Sequence, residues 1–188
     1  MRNTKLLVFL PTFIVMTLFA AVAFVPTAAQ PKNDHILLEL DDTLQEVVEG
    51  TDVGNMAPDF GLETLDGEEV HLSDYQGERI LLNFWATWCG PCREEMPDIQ
   101  RLFEDKNVTV LGVNLTYSEG SIETVTDFVS QYKLEFPVLL DENSSVSQLY
   151  RIQPIPTTYM IDSNGKIQYK AFGAMDYEWM VQELEKIK

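Results

Sequence analysis

Cysteine is nearly absent from this 188-residue chain, and so is histidine: there are two of each. Two cysteines cannot build a framework of structural disulfides, and both fall in one short stretch, at Cys89 and Cys92. The histidines, His35 and His71, lie outside any ligand-spaced cluster and receive no role. Without them the cysteine pair falls short of a closed zinc site, which takes about four ligands, so a metal site would have to be shared or open. Basic residues are scarce too, with 13 Lys and Arg against 30 Asp and Glu and a formal net charge of −17. That balance argues against nucleic-acid binding, which needs a basic patch. A solvated acidic surface is the plain reading, and a basic protein partner is compatible with it. The chain also lacks internal repeats and low-complexity runs, so one globular domain is the economical organisation.

What is present begins with an apolar N-terminus. Within residues 1–30, Arg2 and Lys5 precede an apolar run from Leu6 to Val25, broken only by Pro11, Thr12 and Thr17. At about 1.5 Å per residue the run can cross a hydrocarbon core of ~30 Å. Basic residues before it and acids after it put the remainder of the chain outside the cytoplasm. Two fates fit: a retained single-pass anchor, or a signal peptide cleaved near Thr27-Ala28-Ala29 to leave a secreted or periplasmic protein. The run exceeds the usual signal core of about 7–15 residues, which favours the anchor. Residues 31–53 form an acidic amphipathic linker. Ile36, Leu37, Leu40, Leu44, Val47 and Val48 recur at helical spacing, with a stop at Gly50. A spacer, a partner-binding helix and a helix packed on the domain are all compatible with it.

From residue 54 to 188 short apolar runs alternate with helical stretches, the pattern of an α/β layer fold. A hairpin is expected around Asp66-Gly67, and Ser73-Asp74 is placed to cap a single turn ending at Gly77. Strands are predicted over 79–86, 108–115, 136–140, 157–161 and 166–172. Helices are predicted over 93–104, 121–133, 144–150 and 176–187. The 121–133 helix should turn Ile122, Val125, Phe128, Val129 and Tyr132 inward. Pro97 should kink the first helix.

The 79–86 strand runs straight into Cys89-Gly90-Pro91-Cys92 at the start of a helix. Unpaired N–H groups and the helix dipole at that end favour a thiolate over a thiol. A C-x-x-C pair opening a helix in an α/β pattern reads as a redox motif rather than a metal site. Phe84-Trp85-Ala86-Thr87-Trp88-Cys89-Gly90-Pro91-Cys92 closely resembles the active-site segment of thioredoxins, and Ile155-Pro156-Thr157-Thr158 their cis-proline segment. Ala57-Pro58-Asp59-Phe60, Leu72-Ser73-Asp74 and Glu94-Glu95-Met96-Pro97 resemble the membrane-tethered extracytoplasmic oxidoreductases of the TlpA/ResA type.

The resemblance covers residues 54–187. It implies a thioredoxin-like α/β fold, a central mixed sheet flanked by helices. An N-terminal β-hairpin and an inserted helix would be added, after a single membrane-spanning segment. It implies thiol–disulfide exchange in which Cys89 attacks, Cys92 resolves, and the redox-active Cys89–Cys92 disulfide replaces any separate cofactor. Thioredoxins have an acid six residues before the first cysteine. Here that position is Asn83, and the resemblance moves the proton-carrying role to Glu95, three residues past Cys92 on the same helix face. Trp88, Ile155, Pro156 and Thr157 become the substrate-binding candidates, with Ile155–Pro156 cis. Gly90 matches thioredoxin, whose potential is about −270 mV, rather than DsbA at about −120 mV.

The implied partners are disulfide-containing envelope proteins, with apocytochrome c a leading candidate, and a membrane protein that returns electrons. Two other readings use the same residues. One is a soft-metal (copper) delivery protein holding the ion between the two sulfurs. The other is a peroxiredoxin-like peroxidase, which needs a reactive cysteine in a Pro/Thr-rich loop with an arginine nearby.

Overall fold

The computed structural model describes residues 48–187. The expected anchor and nearly all of the expected linker helix lie outside them. Among the described residues no helix is long and apolar enough to cross a membrane.

One strand sets the architecture. All six residues of β3 (Ile80–Trp85) are buried, so both of its faces are covered. Successive side chains point to opposite faces. Leu81 and Trp85 therefore join one core cluster, with Met96, Ile99, Leu102 and Met180, while Ile80, Leu82 and Phe84 join the other, with Tyr150, Tyr159 and Leu139. Asn83 falls on the Leu81–Trp85 face, a polar side chain in an apolar layer.

Around β3 the chain runs as follows. A hairpin of β1 (Gly61–Glu63) and β2 (Glu69–His71) precedes it, and α1 (Gly90–Asp105) and β4 (Thr109–Asn114) follow. Then come α2 (Ile122–Tyr132), β5 (Val138–Leu140), α3 (Ser145–Leu149), β6 (Thr157–Ile161), β7 (Ile167–Phe172) and α4 (Tyr177–Leu184). The five-stranded sheet has the order β5-β4-β3-β6-β7, with β3, β4 and β5 parallel and β6 and β7 antiparallel. This is the thioredoxin-like mixed sheet that the resemblance implies, hairpin included.

Both sheet edges are covered, which blunts edge-to-edge association. The segment after β1 reaches β5, where Leu65 N–H donates to the Val138 carbonyl at 2.8 Å. At the other edge Gly54 N–H donates to Ile167 O at 2.8 Å and Ile167 N–H to Asn55 O at 2.9 Å. The described end of the expected linker helix is thus not helical. Glu49 bridges Met56, and Gly50 N–H donates to Met56 O at 3.0 Å, because Gly54 at φ 97° turns the chain back on itself.

Three further expectations change. Of the pair placed to cap the turn only Asp74 does so, its Oδ2 accepting from the N-cap His71 N–H at 2.7 Å, while Ser73 donates its own N–H to Asp59 Oδ1 at 2.9 Å. Ile122 is exposed, since as the first residue of α2 it precedes the turn that meets the core; Val125 and Phe128 carry the burial. The first helix begins at Gly90, three residues earlier than periodicity suggests, and runs through Pro97 to Asp105.

Candidate active site

The cysteine turn is built by the end of β3 and the start of α1. Leaving the strand, the chain makes one tight turn, with Cys89 N–H donating to Ala86 O at 3.2 Å. Cys89 is then the N-cap of α1, at φ −80° and ψ 112°. Pro91 sits in the first turn, where a missing N–H removes no helix bond. The Cys89 sulfur accepts the Cys92 N–H at 3.2 Å, so the group that would stabilise a thiolate is already aimed at it. The two cysteines are joined as a disulfide, with Cα atoms 5.3 Å apart. Exposure separates their parts: Cys89 is 4% exposed and Cys92 0%.

Glu95 lies in the buried stripe of α1 together with Cys92, Met96, Ile99 and Leu102, and is 1% exposed. Its two carboxylate oxygens are held separately. Oε1 accepts from Asn83 Nδ2 at 2.8 Å, and Oε2 from the Met175 N–H at 3.2 Å. Burial raises its pKa from 4.5 to about 7, against the lowering effect of those two donors. The Asn83 amide also donates to Thr158 Oγ1 at 2.9 Å, its register partner on β6, while its buried Oδ1 has no partner among the described residues. Alternation along β3 and the 3.6-residue period of α1 meet here, which is why Asn83 faces Glu95.

β6 begins beside the end of β3, Thr157 pairing with Phe84, so the loop before it lies at the cysteine end of the sheet. Ile155–Pro156 is cis as expected; Gln153–Pro154 is cis as well. Ile155 is half-buried and packs against both core clusters. Trp88 is 59% exposed, with its Nε1 donating to Ser118 Oγ at 3.2 Å. Trp85 belongs to the core. Pro156 and Thr157, the remaining substrate-binding candidates, are buried; Thr157 is 0% exposed and its hydroxyl donates to Pro154 O at 2.6 Å. Met175 and Glu119 carry no mark in the sequence, and Thr158 stands there only as the end of the cis-proline segment. Met175 meets Glu95 from 80 residues away, Glu119 meets Thr87 from 32 and Thr158 meets Asn83 from 75.

For the metal reading, among the described residues no three His, Cys, Asp or Glu side chains gather to hold an ion. For the peroxidase reading, the arginine next to the pair, Arg93, directs its Nε to the Tyr132 hydroxyl at 3.3 Å.

A dithiol that closes and reopens at the head of a helix carries two electrons without any other group, and that chemistry defines a thiol–disulfide oxidoreductase. The AhpC/TSA family model matches residues 53–170, and the chain belongs to that family. It is 43% identical over 139 residues to the thioredoxin-like protein YneN of Bacillus subtilis, covering 72% of this chain and 81% of that protein. It is 40% identical over 139 residues to the thiol-disulfide oxidoreductase ResA of Geobacillus thermodenitrificans, covering 72% and 78%. Among solved structures, the pneumococcal exposed lipoprotein thioredoxin Etrx1 from Streptococcus pneumoniae aligns with a TM-score of 0.61. It shares 30% identity, over 69% of this chain and all of that one. The chain is a thiol–disulfide oxidoreductase of the ResA-like kind.

Proposed function

We propose that this protein is a membrane-anchored disulfide reductase working outside the cytoplasm, with Cys89 attacking, Cys92 resolving and Glu95 carrying the proton. The observation that carries this division is the contrast between the two sulfurs. Cys89 touches solvent and rests on a helix N-terminal N–H, while Cys92 is enclosed.

The reduced Cys89 thiolate attacks one sulfur of a target disulfide. A mixed disulfide forms, and the other target sulfur leaves as a thiolate that takes up a proton. Cys92 then loses its proton to the Glu95 carboxylate and attacks Cys89. The Cys89–Cys92 bond forms, the second target thiolate is released, and a proton is returned to it. Two electrons pass from the dithiol to the target. A carboxyl pushed up to about 7 suits this step, because both its forms are populated at neutral pH. The three-residue spacing makes resolution intramolecular, with a high effective concentration of the second thiol.

Trp88, Ile155 and Pro156 would frame the bound polypeptide. The targets are disulfide-bearing envelope proteins, apocytochrome c foremost, because its C-x-x-C-H segment must be reduced to receive haem. In an oxidising compartment the disulfide has to be reopened by a membrane protein that brings electrons from the cytoplasm. The Gly90-Pro91 dipeptide, shared with thioredoxin, supports the reducing direction.

The test uses the anchored full-length chain in cells. Cys92→Ala should accumulate mixed disulfides with its targets, while Cys89→Ala should trap none and show no insulin-disulfide reduction. A folded Cys92→Ala protein that captures nothing would remove the two-cysteine mechanism.

A further inference from the structure

The lead-in to the cysteines is held from outside the thiol site. Glu119 stands in the connection from β4 to α2, directly after a 3-10 turn at Thr116–Ser118. One of its carboxylate oxygens accepts the Thr87 N–H at 2.7 Å and Asn114 Nδ2 at 3.0 Å. The other meets the Thr87 hydroxyl at 2.5 Å. Thr116 Oγ1 donates to Asn114 Oδ1 at 3.0 Å, which fixes the amide so that its nitrogen faces Glu119.

The same segment grips the residues on either side of Thr87. Ser118 Oγ accepts from the Trp88 indole at 3.2 Å and donates to Leu115 O at 2.7 Å. Leu115 N–H donates to Trp85 O at 2.9 Å. Trp85, Thr87 and Trp88 are therefore each tied to residues 114–119. Thr87 has left the β3 ladder and has not entered α1, so without Glu119 its N–H would lack a protein partner. A charged acceptor serving three donors is the strongest tie available at such a point.

We propose that Glu119 is a positioning residue for the exchange reaction: its carboxylate fixes the Thr87–Trp88 lead-in, and through it the Cys89 sulfur at the head of α1 and the outward indole of Trp88. The need is greatest in the reduced protein. There the disulfide no longer holds Cys89, and the lead-in and the Cys92 N–H must do so. The proposal rests on Cys89 being the attacking thiol.

The chemistry predicts how substitutions rank. In Glu119→Gln, the amide oxygen can keep Thr87 N–H and Asn114 Nδ2, and the amide nitrogen can donate to Thr87 Oγ1. The geometry survives and the charge is lost. Glu119→Ala loses all three ties. The measurement is the rate of Cys89 alkylation by iodoacetamide in the reduced full-length protein at fixed pH, with the equilibrium against glutathione and the thermal midpoint alongside.

Glu119→Ala should slow alkylation by about tenfold, within the range a small misplacement produces. It should also move the glutathione equilibrium severalfold toward the protein disulfide, because the reduced form loses its support. Glu119→Gln should stay within about twofold of wild type, since placement is preserved. A rate and equilibrium unchanged in Glu119→Ala would overturn the proposal, as would Glu119→Gln falling as far as alanine. A lowered thermal midpoint with neither redox quantity moved would show a merely structural role and also overturn it. Should Glu119→Ala fail to fold, Thr87→Val removes only the hydroxyl tie. It should slow alkylation by about threefold, and no slowing would count against the proposal. Loss of insulin reduction in wild type, or its survival in Cys89→Ala, would instead sink the assignment of the attacking thiol.

Discussion

Glu95 concentrates the physical tension of the site in one side chain. A carboxylate at 1% exposure is held by two donors, yet burial outweighs them and lifts the pKa from 4.5 to about 7. The lift has a consequence for folding. In the unfolded chain Glu95 ionises near 4.5, and in the folded protein only near 7. The unfolded state therefore releases this proton first as pH rises, and stability is lost across that window. The loss is absent below 4.5 and complete above about 7, and the shift corresponds to about 3 kcal/mol. Glu95→Gln has no proton to release. Denaturant unfolding of the oxidised wild type and the Gln variant at pH 4.5 and pH 8.5 should show wild type losing ground by about that amount. Parallel stabilities at the two pH values would mean that the carboxyl is not buried as described.

At the scale of elements, β4 shows why a central strand tolerates a glycine. A Cβ on Gly112 would lie 2.7 Å from Phe136 Cε2 and 3.2 Å from Trp85 Nε1. Glycine weakens a strand interior, but here it makes room for two rings. Gly112→Ala should destabilise by about 1–3 kcal/mol through overpacking, measured as a lower urea midpoint with an unchanged slope. A neutral result would show that the Phe136 ring can swing aside. The strain would fall first on Phe136 and less on Trp85, three residues before Trp88. α1 makes a related point. Its apolar stripe is interrupted only by Glu95 and Gln100, and both find partners: Gln100 Oε1 accepts from Glu135 N–H at 2.9 Å. Polar side chains in that stripe are tolerated because they are satisfied.

Across the whole molecule, two features bear on where the protein works. Residues 50–57 bind the start of β7 and the turn before it, so the described domain begins as an integral edge of the sheet. The chain ahead of it carries the apolar run Leu6–Val25. On the proposed localisation, the full-length protein should stay in the membrane fraction after alkaline carbonate washing. A chain starting at residue 48 should be released into solution and still reduce insulin. Full-length protein found in the soluble fraction at its uncleaved mass would exclude the anchor. The charge of −17 should slow encounter with acidic targets more at low salt than at high salt, as expected for diffusional association between like charges.

The cysteine turn, the apolar run of β3 and the order of strands and helices are legible in the sequence. These are local matters: side-chain period, turn chemistry and helix-capping positions act within a few residues. The expected 157–161 strand is β6 to the residue, and the other elements shift at their ends, where periodicity is weakest. Glu95 needed the resemblance to stand out, because beside Glu94 it has the look of an exposed charged face. Only the tertiary structure decided that it is buried, that Asn83 and Met175 donate to it while Thr158 accepts from Asn83, and that Thr157 turns away from solvent. Glu119 is the plainest case. In the chain it is one acid among 30, and in the fold it holds Thr87 from 32 residues away. Burial and hydrogen-bond partnership between such distant positions follow from how the layers pack, and no short window of sequence contains that information.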